Sequence, residues 1–271
     1  MTTDPDISPA LLLETLTFVV RMAGNHANNN QHRKTETVMV AAHDVKLQLD
    51  LECQKIIWDL IRSRFPTHAI LAEESADKGQ PADDPHQSPY TWIIDPIDGT
   101  VNFTHGLPWW CCSVAVTYRG KTVAAAVYAP ATNELFTAAR GGVAYCNGKP
   151  IAVSTVKTLK ESMVLTGLDQ KFTEKDQRLK RFIAISENVQ KARVIGAAAL
   201  DMCRVAAGQA DGYFEAGIYT WDVAAAGLIV ELAGGRVETL AELSPHRLIY
   251  MATNGHIHPE LKALITGLEY K

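Results

Sequence analysis

Residues 92–103, WIIDPIDGTVNF, constrain the fold and the chemistry of this chain more than any other stretch. The apolar run at 92–94 predicts a buried strand. That strand ends in two carboxylates, Asp95 and Asp98, and Pro96 between them restricts the backbone. Because hard cations prefer oxygen ligands, two acids on a rigid turn at the end of a strand indicate a candidate metal site.

The two residues after the acids add a candidate anion site. Gly99 can adopt backbone dihedrals that other residues avoid, and Thr100 carries a hydroxyl. Backbone N–H groups in such a turn can converge on phosphate oxygens. For an isolated Asp-x-x-Asp, a solvated surface turn would be the ordinary interpretation. The order Pro96, Gly99, Thr100 favours a functional site instead.

Composition excludes several classes of protein. A chain of 271 residues can form one large domain or two packed subdomains. The formal net charge of −4 argues against a nucleic-acid partner, which would usually meet a basic patch. The five cysteines form no Cys-x-x-Cys pair, which favours reduced, mostly buried thiols. Since neither a signal peptide nor an apolar run of about 18 residues is visible, we expect a soluble cytoplasmic protein with no membrane partner.

Helical periodicity dominates the N-terminal part of the chain. A helix is predicted to begin at Ser8-Pro9 and to weaken between residues 24 and 30. A second helix is predicted from about residue 42 to 64, with Asp44 in its first turn. Helix capping is the ordinary role of an acid at that position.

Strands follow the two helices. Residues 69–72 predict a short strand that ends at Glu73. If this strand neighbours the one that ends at Asp95, Glu73 converges on the acidic turn. From residue 111 to 153, short apolar runs alternate with turns and predict an antiparallel meander, with a hairpin at Asn147-Gly148.

After about residue 154 strands and helices alternate, a pattern typical of an α/β unit. Strands are predicted at 162–166, 193–195, 213–215, 236–238 and 248–252, and helices at 174–189, 197–207, 222–233 and 259–268. Asp222 opens one of these helices, where capping alone would explain it. Glu215, near a strand end, fits a surface acid and a ligand contact equally well.

Three segments in this order and at this spacing resemble the signature of the inositol monophosphatase family: residues 71–75, 92–103 and 221–227. Residues 103–108, 196–199 and 213–218 extend the resemblance over nearly the whole chain. It implies an α/β protein of the inositol monophosphatase/fructose-bisphosphatase-like type, a layered αβαβα sandwich. The α+β half would span residues 1–153 and the α/β half residues 154–271.

The resemblance further implies an enzyme that hydrolyses a phosphate monoester with two to three Mg²⁺ ions. One ion would be held by Glu73, Asp95 and the Ile97 carbonyl. A second would be held by Asp95, Asp98 and Asp222, and a third, weaker ion would lie near Glu73. Metal ions neutralise the phosphate dianion, activate water and stabilise the leaving alkoxide. Since no Gly-x-Ser-x-Gly elbow is present, we expect direct in-line attack by water.

The same resemblance assigns the remaining contacts. Thr100 and Glu73 would orient the attacking water, so Glu73, Thr100 and Asp98 are the candidate catalytic residues. The amides of Gly99 and Thr100 would hold the phosphate. The other expected substrate contacts are Gly196, Ala197, Ala198, Glu215 and Asp222. Myo-inositol monophosphate is the first choice among phosphorylated polyols. Fructose 1,6-bisphosphate, 3'-phosphoadenosine 5'-phosphate and histidinol phosphate are alternative substrates. The alternative to an enzyme is a regulatory binding protein.

Several positions depart from the family pattern or stay open. Residues 40–44 lack the usual threonines, although Asp44 keeps a possible role behind the metal ligands. The basic residue of the mobile loop is either Arg33 or Lys34. A glycine-rich turn is missing near residues 240–245, which we interpret as a shortened surface connection. Packing is the expected role of residues 109–112, two tryptophans followed by two cysteines. The family also implies a homodimer and inhibition by lithium.

Overall fold

A computed structural model describes residues 7–40, 45–76, 88–168 and 177–268. Its α-helices are α1 (Pro9–Asn29), α2 (Gln48–Arg64), α3 (Glu73–Ala76), α4 (Thr100–His105), α5 (Gln177–Asn188), α6 (Ala198–Ala206), α7 (Thr220–Leu232) and α8 (His258–Thr266). Single-turn 3₁₀ helices span Gln31–Arg33, Pro130–Thr132 and Leu159–Glu161.

The strands of the first half are β1 (Thr37–Val40), β2 (Val45–Leu47), β3 (Ala69–Ala72), β4 (Tyr90–Asp98), β5 (Cys111–Tyr118), β6 (Lys121–Ala129), β7 (Glu134–Ala139), β8 (Tyr145–Cys146) and β9 (Lys149–Pro150). Those of the second half are β10 (Met163–Thr166), β11 (Lys191–Arg193), β12 (Gly212–Tyr219), β13 (Arg236–Ser244) and β14 (Arg247–Thr253).

Two large sheets organise these strands. The seven-stranded sheet has the order β3-β4-β5-β6-β7-β8-β9, and the five-stranded sheet has the order β11-β10-β12-β14-β13. In the first sheet only the β3–β4 pair is parallel, as the prediction for Glu73 required. The strands of this sheet form the predicted meander through residue 150, whereas residues 151–153 form no strand.

The two sheets and the helices that cover their faces form five layers. Along β4, Trp92 and Ile94 pack with α1 and α2, while Ile93 points to the other face and packs with α6 and α7. The helices α6 and α7 lie between the two sheets, and α5 and α8 cover the outer face of the five-stranded sheet. This arrangement confirms the predicted layered αβαβα sandwich. The predicted division into subdomains at residue 154 stays a prediction.

The first helix begins where the sequence places it. The Ser8 side chain accepts a hydrogen bond of 3.2 Å from the Leu11 amide, and Pro9 occupies the first helical position. The predicted weakening between residues 24 and 30 is wrong, since α1 continues to Asn29. The reason is tertiary packing: Gly24 and Ala27 are buried, and Gly24 lies against the Tyr128 ring.

The second helix also differs from the prediction, because it begins later. It was predicted near residue 42, but residues 45–47 form β2, which pairs with β1. The helix begins at Gln48 because the Asp50 carboxylate accepts a 2.7 Å hydrogen bond from the Leu47 amide and caps the first turn. Asp44, predicted to lie behind the metal ligands, falls outside the described residues.

The shortened connection expected near residues 240–245 is an exposed, tight hairpin turn, but the strand before it, predicted at 236–238, is longer than expected. The strand β13 continues to Ser244 and pairs with β14, so that Pro245 and His246 alone join the two strands. His246 adopts a φ of 64°, which completes this tight turn. Backbone pairing along β14 therefore overrides the polar character of this segment.

Two further observations concern the whole described chain. None of its helices combines the length and the apolar character needed to cross a membrane. All five cysteines are unpaired, and four of them, Cys53, Cys111, Cys112 and Cys203, are buried. This confirms the prediction of reduced, mostly buried thiols.

Candidate active site

Parallel pairing of β3 and β4 brings the first two acids together. Ala72 lies opposite Ile94 in the register, so Glu73 and Asp95 follow at adjacent strand ends. The pairing of β4 with β5 shifts register between Asp95 and Asp98, which turns the end of β4 out of the regular ladder. The acidic turn predicted from the sequence therefore lies at the end of a strand.

The fourth acid, Asp222, lies in the second half of the chain. Carboxylate oxygens of Asp95, Asp98 and Asp222 all lie within 4.8 Å of one another. Asp222 stands in the first turn of α7, where it accepts a 2.9 Å hydrogen bond from the Tyr219 amide. Asp222 therefore caps α7 and also lies beside the acidic turn, two roles that the sequence left as alternatives.

The electrostatics of this cluster are unfavourable without a cation. Burial raises the pKa of Asp95 well above its usual value, and the negative charge of Glu73 adds to this, followed by those of Asp98 and Asp222. Asp95 is only 2% exposed, and its Oδ1 accepts no hydrogen bond from the described residues. A buried oxygen without a donor, among three carboxylates, fits a hard divalent cation.

Asp98 connects the two halves of the chain. Its Oδ1 accepts a 3.1 Å hydrogen bond from the Ala198 amide, and its Oδ2 accepts bonds of 2.8 and 3.4 Å from the amides of Ala199 and Leu200. The Cys111 thiol donates to the same Oδ2 at 3.4 Å. Burial raises the pKa of Asp98 to about 6, and these four donors oppose that rise. Asp98 thus satisfies the first turn of α6 from outside the helix.

A glycine is required at the turn after Asp98. Gly99 has a φ of 88°, a conformation that strains any L side chain. A Cβ there would lie 2.9 Å from the Ala197 Cβ and 3.0 Å from the Trp109 carbonyl oxygen. Thr100, the first residue of α4, donates its hydroxyl to the Ile97 carbonyl at 2.9 Å. The predicted phosphate turn is therefore rigid and packed against the Gly196–Ala197 peptide.

Asn102 has a structural role that its sequence context does not predict. Its Nδ2 lies 2.9 Å from the Trp109 carbonyl and 2.8 Å from that of Ile195, and donates to both. This amide joins α4 to the segment ahead of α6, which contains Gly196. A polar residue between the apolar Val101 and Phe103 was the available signal.

Two residues assigned to packing also make polar contacts. The Trp109 indole donates to Asp201 of α6 at 2.8 Å, and Cys111 donates to Asp98 as described above. Trp110, by contrast, is fully buried and packs edge-on against Phe103, as expected. The sequence could not separate these roles because all four positions of 109–112 are apolar or weakly polar.

Glu215 is held in a fixed position on β12. Its Oε2 accepts a 2.5 Å hydrogen bond from the Tyr213 hydroxyl. A Cβ on Gly167 would collide with the Glu215 carboxylate, so the glycine leaves the space that this side chain occupies. Burial, then the charge of Glu215, raises the pKa of Tyr213 well above its usual value. The phenol therefore stays a hydrogen-bond donor.

The structure separates the two basic candidates of the first loop. Arg33 donates to both Glu36 and Glu52 at 2.8 Å. The pKa of Glu52 is lowered to about 2, chiefly by the hydrogen bond from Arg33. The Lys34 ammonium instead lies beside Gly106, 2.8 Å from where a Cβ of that residue would stand. Lys34 is therefore the one that contacts the end of α4.

Comparison with known proteins gives concordant results. Residues 13–269 match the model of the inositol monophosphatase family. The chain is 40% identical over 231 residues to the inositol-1-monophosphatase of Synechocystis, with 83% of this chain and 78% of the relative covered. It is 39% identical over 225 residues to the Nus factor SuhB of Vibrio cholerae, with 82% of each covered.

The likeness extends to a solved structure. The inositol monophosphatase from Anabaena superposes with a TM-score of 0.79 at 32% sequence identity, covering 95% of this chain and 96% of that one. The layered architecture described above is therefore shared with an experimentally determined fold.

Proposed function

Since the chain belongs to the inositol monophosphatase family of phosphatases, we propose that it is a Mg²⁺-dependent phosphomonoesterase that converts myo-inositol monophosphate to inositol and phosphate. The observation that carries this proposal is the convergence of Asp95, Asp98 and Asp222 around a buried carboxylate oxygen without a donor. Such a site concentrates negative charge, so a phosphate ester can approach only once cations are bound.

The metal ligands in this proposal are those of the resemblance. Asp95, Asp98 and Asp222 would hold Mg²⁺ together with Glu73 and the Ile97 carbonyl, with two to three ions in all. When bound, the ions neutralise the phosphate dianion and lower the pKa of water. The all-oxygen donor set and the raised pKa of Asp95 support a hard divalent cation there.

Thr100 positions the attacking water in this scheme. Its hydroxyl proton is already donated to the Ile97 carbonyl, which leaves the oxygen lone pairs to accept a hydrogen bond from water. Glu73 takes a proton from that water as its oxygen bonds to phosphorus in line with the ester oxygen. The ester P–O bond breaks, and the leaving alkoxide gains a proton from solvent. The amides of Gly99 and Thr100 hold the phosphate during this step.

Substrate hydroxyls would be recognised on the second half of the chain. The Glu215 carboxylate, fixed by Tyr213, can accept hydrogen bonds from polyol hydroxyls. Ala198 was also expected here, but its amide donates to Asp98, so Gly196 and Ala197 are the better backbone contacts. Fructose 1,6-bisphosphate, 3'-phosphoadenosine 5'-phosphate and histidinol phosphate stay alternative substrates.

The test is phosphate release from inositol 1-phosphate, with the alternative esters measured in parallel. Turnover that needs Mg²⁺ and is fastest on inositol 1-phosphate supports the proposal. A second function, regulatory binding to other macromolecules, is favoured by the name Nus factor SuhB that several relatives carry. A purely regulatory protein would release no phosphate from any ester.

Homodimerisation, a cytoplasmic location and lithium inhibition belong to the same proposal and stay predictions. Light scattering tests the first, cell fractionation the second, and titration of the phosphatase with LiCl the third. Each can fail without affecting the assignment of the reaction.

A further inference from the structure

Tyr213 and Glu215 lie on the face of β12 that is covered by the helix carrying Asp222. Because side chains alternate along a strand, these two share one face and Phe214 points to the other. Tyr213 packs with residues of α6 and α7, whereas Phe214 packs with residues of α5 and α8. The strand β12 leads directly into α7, so the pair lies on the side of the sheet that contains the acidic cluster.

The Tyr213 hydroxyl stays a donor to Glu215. The Tyr213 side chain is fully buried, and its hydroxyl lies 2.5 Å from Glu215 Oε2. Burial raises the pKa of Tyr213 well above its usual value, and the negative charge of Glu215, followed by those of Asp201 and Asp222, raises it further. The phenol therefore keeps its proton, and the contribution of Asp222 shows that this pair is within electrostatic range of the acidic cluster.

A glycine on the neighbouring strand provides the space for this carboxylate. The strands β10 and β12 are parallel, with Thr166 opposite Phe214, so Gly167 follows beside Glu215. The Thr166 hydroxyl donates to the Phe214 carbonyl at 2.6 Å and fixes this register. A Cβ on Gly167 would collide with both carboxylate oxygens of Glu215. The carboxylate therefore lies directly over Gly167 while Tyr213 donates to it.

A carboxylate held in this way recognises one kind of substrate group. An ionised carboxylate accepts hydrogen bonds and donates none, so its partners on a substrate are hydroxyl groups. A freely rotating glutamate would lose side-chain entropy each time it formed such a bond. Because Tyr213 and Gly167 restrict Glu215 before the substrate binds, that loss is avoided and the bond to a hydroxyl is stronger.

We propose that Tyr213 is a positioning residue that makes the reaction selective for esters whose alcohol carries free hydroxyl groups. Tyr213 acts through Glu215, and Gly167 is required as well because a larger residue would displace the carboxylate. This inference rests on the proposed phosphatase function. Loss of the phenol hydroxyl should weaken the binding of hydroxylated esters more than it slows the chemical step, for which Thr100 and Glu73 hold the water.

The test compares myo-inositol 1-phosphate with cyclohexyl phosphate, which has the same carbon ring without free hydroxyls. Tyr213→Phe should raise KM for inositol 1-phosphate about tenfold, as for one hydrogen bond to a charged group. It should change kcat and the KM of cyclohexyl phosphate by much less. Gly167→Ala should shift the two KM values in the same way. Tyr250→Phe is the matched control, because Tyr250 is buried in the same cluster but its hydroxyl lies against Gly227 of α7.

A double-mutant cycle separates positioning from a general loss of structure. In a Glu215→Ala background, Tyr213→Phe should have almost no further effect on the KM of inositol 1-phosphate, because the phenol acts through the carboxylate. Additive effects of the two substitutions would overturn the proposal. So would a Tyr213→Phe variant that raises the KM of both esters by the same factor, since Tyr213 would then only support the sheet.

Binding distinguishes failure of this inference from failure of the phosphatase function. Calorimetry with Mg²⁺ in the Thr100→Val background compares the affinities of the two esters. If Tyr213→Phe removes a preference for inositol 1-phosphate in binding, but the native protein hydrolyses neither ester, the positioning role stands and the phosphatase function fails. Hydrolysis with a KM ratio that Tyr213→Phe leaves unchanged would refute the positioning role alone. Neither hydrolysis nor a preference in binding would refute both.

Discussion

The Asp98 carboxylate at the end of β4 accepts a 2.8 Å hydrogen bond from the Ala199 amide in the first turn of α6. One side chain thus belongs to the acidic cluster and also satisfies a helix of the second half. Any change that moves α6 relative to β4 should therefore also move the acidic cluster, even where none of the proposed metal-binding residues is substituted. The Cys111 thiol, the fourth donor to Asp98, allows this to be tested with a small change.

Cys111→Ala should weaken metal binding without unfolding the protein. The substitution removes the thiol that donates to Asp98 Oδ2, and partners of this kind typically change metal affinity about tenfold or more. Titration calorimetry with Mg²⁺ measures the effect, and Cys111→Ser, which keeps a donor, should restore most of the affinity. Cys112→Ala is the matched control, since the neighbouring thiol packs on the other side of β5. Equal losses at the two positions would contradict the role of the thiol.

Thr100→Val should separate chemistry from binding. Valine keeps the shape of the side chain but removes the oxygen that we assign to the attacking water, so kcat should fall by about 100-fold or more. Because the ligand carboxylates are untouched, Mg²⁺ affinity should change little. Thr100→Ser should retain most of the turnover. A Thr100→Val enzyme with unchanged kcat would exclude this role for the hydroxyl.

Gly99→Ala should cost stability and activity together. The left-handed backbone alone makes alanine unfavourable by about 1 kcal/mol. At Gly99 a Cβ would also lie 2.9 Å from the Ala197 Cβ, so the turn must shift and carry Thr100 with it. Gly120→Ala is the control for strain alone, because its φ is 75° and nothing lies within 4 Å. Calorimetric unfolding and kcat/KM should show a larger loss at Gly99 on both measures, and equal effects would refute the packing argument.

The metal-free protein should become less stable as the pH rises through about 6. Burial raises the folded-state pKa of Asp98 to about 6 from its ordinary value of 3.8, and raises the pKa of Asp95 as well. A raised carboxyl pKa means that the folded state binds the proton more tightly, so its contribution is complete below pH about 4 and is lost as the pH passes the folded pKa.

Melting temperatures measured between pH 4 and 8 in EDTA test this directly. Asp98→Asn should flatten the profile, and saturating Mg²⁺ should raise stability chiefly above pH about 6, where protons no longer compete for the carboxylates. A melting temperature in EDTA that rises steadily through this range would show that repulsion within the acidic cluster does not determine how stability depends on pH.

The sequence allowed part of this site to be predicted. The apolar run before Asp95 placed the acids at a strand end, because an apolar strand followed by a proline turn is a local pattern. The position of Glu73 depended on one pairing of neighbouring strands, and that pairing occurs. The family resemblance covered the rest of the acidic set and the layered fold.

Other features could not be predicted because they depend on contacts between distant segments. Asp222 reaches the cluster only through the packing of α7 against β4, and helix capping alone explained it in the sequence. Asn102 and Cys111 act through partners on other elements. The start of α2 and the end of β13 were misjudged for a similar reason, since strand pairing there overrides local periodicity and polarity.

The central claim is that Asp95, Asp98 and Asp222 hold cations that make phosphate ester hydrolysis possible. The most direct measurement is phosphate release from inositol 1-phosphate by wild-type and Asp95→Asn protein, with Mg²⁺ and with EDTA, alongside the melting temperature of each. We predict turnover by the wild type only with Mg²⁺. Asp95→Asn should show almost none, while its metal-free form melts at a higher temperature because one buried charge has been removed. Full turnover by Asp95→Asn, or none by the wild type on any of the four esters with Mg²⁺, would contradict the claim.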